Sequence, residues 1–188
     1  NDPMYCNNTF LFYSRGSKGV VIEPDPSFGK KLRDKRPGDI IVQAAISNRK
    51  QEGTTDFYIF NVPALNTLSK EEAEQRVKSG KFKLKKVIPI ELVTIADIIK
   101  RYFSDKLPVF ISLDIEGMDY DVLHAFDFTA YPVPVWIVET CEYSENHIKP
   151  KVHSIIDLML SKGYFIYADT YINTIFVHKE WFQHKGQQ

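Results

Sequence analysis

Two cysteines in 188 residues are too few for a disulfide framework, and Cys6 and Cys141 stand too far apart for a metal or redox spacing. They read as reduced thiols of a cytoplasmic protein. No apolar run approaches the roughly 20 residues that a membrane-spanning helix needs. Charge of one sign is also missing: 24 Lys and Arg balance 24 Asp and Glu, so nothing global directs the chain to nucleic acid or to an anionic membrane. Internal repeats and low-complexity segments are absent as well. What the chain does have is a hydrophobic content of 44%, enough for one domain with a substantial core. The expectation is a single domain over residues 1–188, with a polar excursion at about 63–92.

Apolar runs too short for buried helices punctuate the chain and predict strands. Val20–Glu23 is closed by Pro24-Asp25-Pro26, and Ile40–Ala45 ends in the small residues Ala44 and Ala45. Asp56–Phe60 alternates and is expected to pair antiparallel with the strand before it. Between these runs lie helical patterns. Thr9 or Asn8 is placed to cap a short helix carrying Phe10, Leu11 and Phe12, and Phe28–Arg36 is a basic segment stopped by Pro37-Gly38. Ser69-Lys-Glu-Glu72 is a capping-box pattern, whereas Lys81–Lys85 alternates with period two and reads as an edge strand guarded by lysines. Thr94-Ile-Ala-Asp97 opens a helix with Ile95, Ile98, Ile99, Tyr102 and Phe103 on one face. After a strand at Val135–Glu139, Pro150 predicts the start of another helix, and Tyr164–Ala168 with Thr174–Val177 predicts a closing hairpin at a sheet edge.

The stretch that organises the chain is Val109-Phe-Ile-Ser-Leu-Asp-Ile-Glu-Gly-Met-Asp-Tyr-Asp121. A buried strand there delivers Asp114 and Glu116 at its C-terminal tip, turns at Gly117 and continues into a helix. In open α/β sheets ligands sit beyond such strand ends. Asp119 and Asp121 fall early in the helix, where favourable interaction with its dipole accounts for them. Glu23, also at a strand tip, suits a ribose, whose two hydroxyls can both donate to one carboxylate. Ala44 and Ala45 either let a flat ring approach the backbone or let a helix pack closely. His147 lies in the polar loop after Glu139.

Asn1-Asp-Pro, Asn7-Asn-Thr-Phe-Leu-Phe-Tyr13, Gly19-Val-Val-Ile-Glu-Pro-Asp-Pro26, Val93-Thr-Ile-Ala-Asp-Ile-Ile99 and Ser112-Leu-Asp-Ile-Glu-Gly117 together resemble the FkbM family of S-adenosylmethionine-dependent methyltransferases. The resemblance implies a Rossmann-like methyltransferase sheet, mostly parallel with a C-terminal antiparallel hairpin. It also implies a first strand and glycine-rich loop immediately before Asn1, so the chain is expected to be incomplete at that end. Residue by residue, it makes Glu23 the ribose acid and places Asn1 and Asp2 at the end of the loop under the methionine part. Pro24, Ala44 and Ala45 join the cofactor-binding set. Asp114 and Glu116 become the acids facing methyl transfer, with Asp114 also touching the cofactor. The acceptor it implies is a hydroxyl on a small molecule, sugar or glycan.

Transfer of a methyl group to an alcohol needs collinear alignment and removal of the hydroxyl proton. Asp114 or Glu116 is placed to act as the base, with His147 as the rival. Asp114 and Glu139 end strands expected to be neighbours, so a divalent metal shared between them is a further reading. A nicotinamide-dependent oxidoreductase would use the same ribose acid, and a non-catalytic binding module could keep the same fold.

Overall fold

The computed structural model describes residues 3–5, 7–49, 53–103, 106–115, 117–141 and 150–185. Internal contacts group the chain into two compact units, Asn1–Ile46 with Lys50–Val93 and Ser47–Arg49 with Thr94–Gln188. The architecture is mixed α/β, with three sheets and seven α-helices among the described residues.

In the first unit, α1 (Phe10–Ser14) follows Thr9 at the cap position, but the Thr9 side chain caps nothing. Asn7 instead gathers both the amide and the hydroxyl of Thr9 on its side-chain oxygen, at 3.0 and 2.9 Å. A turn at Gly16 leads to β1 (Val20–Ile22), and β1 pairs in parallel with β2 (Ile40–Val42). The crossover between them is α2 (Pro26–Lys35), which starts two residues before the basic pattern implies and ends one residue before it. Its start is chemically well defined: Asp25 accepts the Ser27 amide at 2.8 Å, and Pro26 needs no hydrogen-bond partner at the first helical position.

The expected strand Ile40–Ala45 is interrupted. The β1–β2 ladder stops at Val42, and β3 (Ala45–Ile46) pairs in parallel with Leu92 and Val93. Those residues end β5 (Leu84–Val93), the middle strand of a second sheet ordered β3-β5-β4. The strand β4 (Thr54–Phe60) therefore pairs antiparallel with β5, from Thr54↔Glu91 to Phe60↔Leu84, and not with the preceding strand as expected. Length decides this. Seven residues of β4 can satisfy their backbone groups along ten residues of β5, whereas β3 offers only two. Ala45, Phe57, Ile59 and Ile90 form the core of this sheet, with Leu68, Ile88 and Leu92 packed on it. The lysine alternation misled in register too: Lys81 and Lys83 precede the strand. The helix predicted from Ser69 is present as α3 (Lys70–Lys78), with Ser69 accepting the Glu72 amide.

The second unit opens with α4 (Ile95–Tyr102), closed by a reciprocal capping box between Thr94 and Asp97. Ile95, Ile98 and Ile99 are buried, as the helical stripe predicts, but Tyr102 is exposed and Phe103 lies past the last helical residue. A four-stranded sheet follows, ordered β6-β7-β9-β8, from β6 (Phe110–Leu113), β7 (Val135–Glu139), β8 (Tyr164–Asp169) and β9 (Asn173–His178). The β6–β7 pair is parallel, whereas β9 runs antiparallel to both β7 and β8. The closing hairpin is therefore present, with β8 at the edge and β9 inside the sheet. Among the described residues the three parallel pairs, β1–β2, β3–β5 and β6–β7, belong to three separate sheets. The expectation of one mostly parallel sheet thus holds only pair by pair.

Two helices follow strands of this sheet: α5 (Asp119–Ala125) and α6 (His153–Ser161). The latter starts three residues after Pro150, because Lys151 bridges to Cys141 and the Val152 amide donates to the Thr140 carbonyl at 2.9 Å. Gly163, at φ 88°, ends α6 in a conformation that side chains disfavour, and a Cβ there would stand 3.3 Å from the His178 ring. Phe126, Phe128, Trp136 and Tyr164 form an aromatic centre, with ring centroids 5.0 to 5.7 Å apart. The Tyr164 hydroxyl donates to the Val133 carbonyl at 2.7 Å. Burial pushes that phenol up to about 12, so it remains a donor at any ordinary pH. A last helix, α7 (Lys179–Lys185), follows β9 without an intervening residue.

Candidate active site

In the first unit an acid stands at a strand end. The Glu23 amide continues the β1–β2 ladder by donating to the Val42 carbonyl at 3.0 Å. Since Ile22 is level with Val42, Glu23 stands level with Gln43, one residue before Ala44. Its carboxylate is half-buried and accepts the Asp25 amide at 2.8 Å. Burial holds this carboxyl above its ordinary range, and the Asp25 hydrogen bond opposes the shift. One amide occupies only part of a carboxylate's roughly four acceptor positions, so Glu23 suits a pair of ribose hydroxyls. Pro24 follows, half-buried. Ala44 is fully enclosed, and Ala45 packs among Phe57, Ile59 and Ile90. For Ala45, close packing of neighbouring side chains is the role observed.

Asp25 itself is 4% exposed and belongs to the scaffold. One oxygen caps α2 and the other accepts the Asn66 side-chain amide at 3.1 Å. Asn66 in turn receives the Phe60 amide at 2.9 Å. The acid next to Glu23 thus fastens the start of α2 to the end of β4.

The second unit brings two more strand-end acids together. Leu113 is level with Val138 in the parallel ladder, so Asp114 follows beside Glu139. Neighbouring strands lie about 4.8 Å apart, which puts two carboxylate-bearing residues side by side at one end of this sheet. Asp114 is exposed. After it the chain turns through Gly117, at φ 98°, where a side chain would be strained, and enters α5.

The acid assigned from sequence to the helix dipole behaves differently. Asp119 is 4% exposed and its carboxylate points back along the turn. One oxygen accepts the Ile115 amide and the other the Gly117 amide, each at 3.2 Å. Burial pushes its carboxyl from 3.8 up to about 6; the two amides oppose this and the Asp114 charge adds to it. The folded state therefore holds this proton more tightly than the unfolded chain does. Its contribution to stability is complete below pH 3.8 and is lost as pH rises through about 6. An Asp119→Asn variant lacks this dependence. In urea unfolding, its stability relative to the unsubstituted protein should rise between pH 5 and pH 7.5 by about 1.4 kcal/mol, the rest of the change falling below pH 5. A difference independent of pH would refute the assignment.

Beside Glu139, Thr140 and Thr174 are both fully buried and share a 2.6 Å hydrogen bond between their hydroxyls. Lys151 donates to Thr140 at 3.0 Å and pairs with Asp169 at 2.7 Å. The Lys151 hydrogen bond holds the Asp169 carboxyl below its ordinary range. This polar cluster ties the end of β7 to β8 and β9, and no sequence pattern announced it, because its members are spread from 140 to 174.

Asn1, Asp2, Glu116 and His147, all expected in the site, lie outside the described residues, as does Cys6. Cys141 is a free, buried thiol that donates to the Tyr171 carbonyl. Among the described residues no group of three or more His, Cys, Asp or Glu side chains is arranged to hold a metal ion. No helix among them is long and apolar enough to cross a membrane.

Residues 1–166 match the family model described as the methyltransferase FkbM domain. No curated protein matches the chain, and no solved structure does.

Proposed function

The chain belongs to the methyltransferase FkbM domain family, and on that premise we propose that it is an S-adenosylmethionine-dependent O-methyltransferase. Its acceptor would be a hydroxyl of a sugar, glycan or natural product. The observation that carries this reading is the placement of acids at the ends of parallel strands: Glu23 just beyond β1, Asp114 just beyond β6 and Glu139 at the last position of β7. The sheet order β6-β7-β9-β8, a parallel pair continued by an antiparallel hairpin, supports a Rossmann-like methyltransferase sheet.

When bound, the cofactor supplies an activated methyl group on a sulfonium. The rest of the chemistry falls to this chain's own residues. Glu23 accepts the ribose hydroxyls and fixes the nucleoside end. Asp114, exposed at its strand tip, accepts the proton of the acceptor hydroxyl, with Glu116 as the second acid of the motif and His147 as its rival. Aligning the reacting groups contributes up to roughly 7–11 kcal/mol in favourable cases, and a general base adds about 10²–10⁴-fold.

Calorimetric titration of the full-length protein with S-adenosylmethionine tests the reading. Binding is expected, and binding of a nicotinamide dinucleotide instead would replace the reading with an oxidoreductase. Cofactor binding without methyl transfer to any hydroxyl acceptor would leave a non-catalytic module. Glu23→Ala should weaken S-adenosylmethionine at least about tenfold, since hydrogen bonds to a charged group are worth about 1.5–3 kcal/mol. The melting temperature without cofactor should hardly change. Unaltered affinity would remove Glu23 from the cofactor site.

The adjacency of Asp114 and Glu139 favours one variant, in which these two acids hold a divalent cation that acidifies the acceptor hydroxyl. Chelation by EDTA with recovery in magnesium or manganese separates the two. Activity indifferent to EDTA leaves the base reading alone.

A further inference from the structure

A carboxylate at the start of a helix gains most from the dipole when it stays in solvent near the unsatisfied amides. Asp119 does otherwise. It is withdrawn from water, close enough to Asp114 to feel its charge, and it spends both oxygens on amides of the preceding turn. The first of these amides belongs to the peptide unit that joins Asp114 to Ile115. A hydrogen bond to it fixes that plane and hence the backbone torsion from which the Asp114 side chain projects. The second belongs to the peptide unit entering Gly117, the residue at positive φ on which the turn depends.

A neutral side chain would fill this place at lower cost in desolvation. A neutral amide, however, has one acceptor oxygen, and its nitrogen would face the second N–H donor to donor. Only a carboxylate receives both. We infer that Asp119 is a positioning residue of the Asp-x-Glu-Gly turn, which fixes the backbone so that Asp114 is presented to cofactor and acceptor in a single orientation. This role rests on the methyltransferase reading for its ligand, but not for its geometry.

Two measurements on the full-length protein test it. The first needs no ligand. In Asp119→Asn, amide hydrogen exchange at Ile115 or Gly117 should accelerate by about tenfold or more, because one charge-assisted hydrogen bond is lost. The amides of β6 should remain protected. The second is titration with S-adenosylmethionine. Asp119→Asn is expected to bind at least about tenfold more weakly while melting no lower than the unsubstituted protein at pH 7.5. Asp119→Ala, which keeps neither acceptor, should bind more weakly still.

A merely structural acid would show the opposite pattern: the variant would melt lower, and its folded fraction would bind with unchanged affinity. Either that pattern or unchanged exchange at both amides overturns the inference. Failure of the unsubstituted protein to bind S-adenosylmethionine would overturn the methyltransferase reading and Asp119's proposed ligand with it. Altered exchange in the variant would still show the turn being held.

Discussion

Arg36→Ala should destabilise the first unit by about 3–5 kcal/mol, the largest stability effect expected of any single substitution here. The Arg36 and Asp39 side chains are 3% and 1% exposed and meet at 2.6 Å. A second hydrogen bond runs from Arg36 Nε to the same Asp39 oxygen at 2.7 Å. The remaining guanidinium nitrogen donates to Thr9 at 2.9 Å and to Asn7 at 3.2 Å, and the group lies 5.1 Å from the centroid of the Tyr13 ring. The other Asp39 oxygen accepts the Gly19 amide at 2.7 Å.

Removing the arginine leaves a buried carboxylate with one amide for company, and the Thr9 and Asn7 oxygens lose their donor. The penalty comes from the charge left behind more than from attraction lost. A paired Arg36→Met, Asp39→Leu replacement should therefore recover most of the loss. Urea unfolding of the two single variants and the double variant forms the relevant cycle. Strict additivity of the single losses would show that the pair does not act as a unit. The network joins Asn7 and Thr9 before α1, the end of α2 and the entries to β1 and β2, at the opposite end of those strands from Glu23. Its loss should therefore lower stability without changing the contacts Glu23 makes.

What the sequence made legible and what it hid follow one division. Local chemistry was readable. The capping box at Thr94 and Asp97, the cap at Ser69, the stop at Gly163 and the strand–glycine–helix run through Asp114 and Gly117 all sit where their residues imply. These depend on neighbours a few positions apart. Choice of partner was not readable. The alternation of Asp56–Phe60 says that one face is buried, but not that β5, rather than β3, supplies the longer ladder. The Asp25–Asn66 link and the Thr140–Thr174–Lys151–Asp169 cluster join residues that only the fold makes adjacent. Asp119 is the instructive middle case. Its position two residues after the glycine was visible, and an acid there can reach back to the turn amides as readily as it can face the helix dipole. Only its burial separates the two roles.

Asp114→Asn is expected to lower turnover by about 10²-fold or more, measured as S-adenosylhomocysteine released in the presence of acceptor at saturating S-adenosylmethionine. The amide preserves shape and removes the proton acceptor. Asp114 is exposed, so folding stability should move by no more than about 0.5 kcal/mol. That separates this substitution from Arg36→Ala, where stability carries the whole effect. A second consequence reaches Asp119. The Asp114 charge helps to raise the Asp119 carboxyl, so removing it should move the titration of Asp119 downward. Ile115 and Gly117 amide shifts followed against pH would show this. A loss of turnover without that movement would place the two carboxylates out of electrostatic reach of one another. If instead Asp114→Asn melts lower and turns over normally per folded molecule, Asp114 serves only the strand end, and proton transfer passes to Glu116, to His147 or to water. If activity disappears in EDTA and returns with magnesium even in the unsubstituted protein, Asp114 and Glu139 act as ligands. The base is favoured over the metal because one acid at the strand tip suffices to take a proton, whereas a divalent ion bound by the protein draws on several oxygen donors.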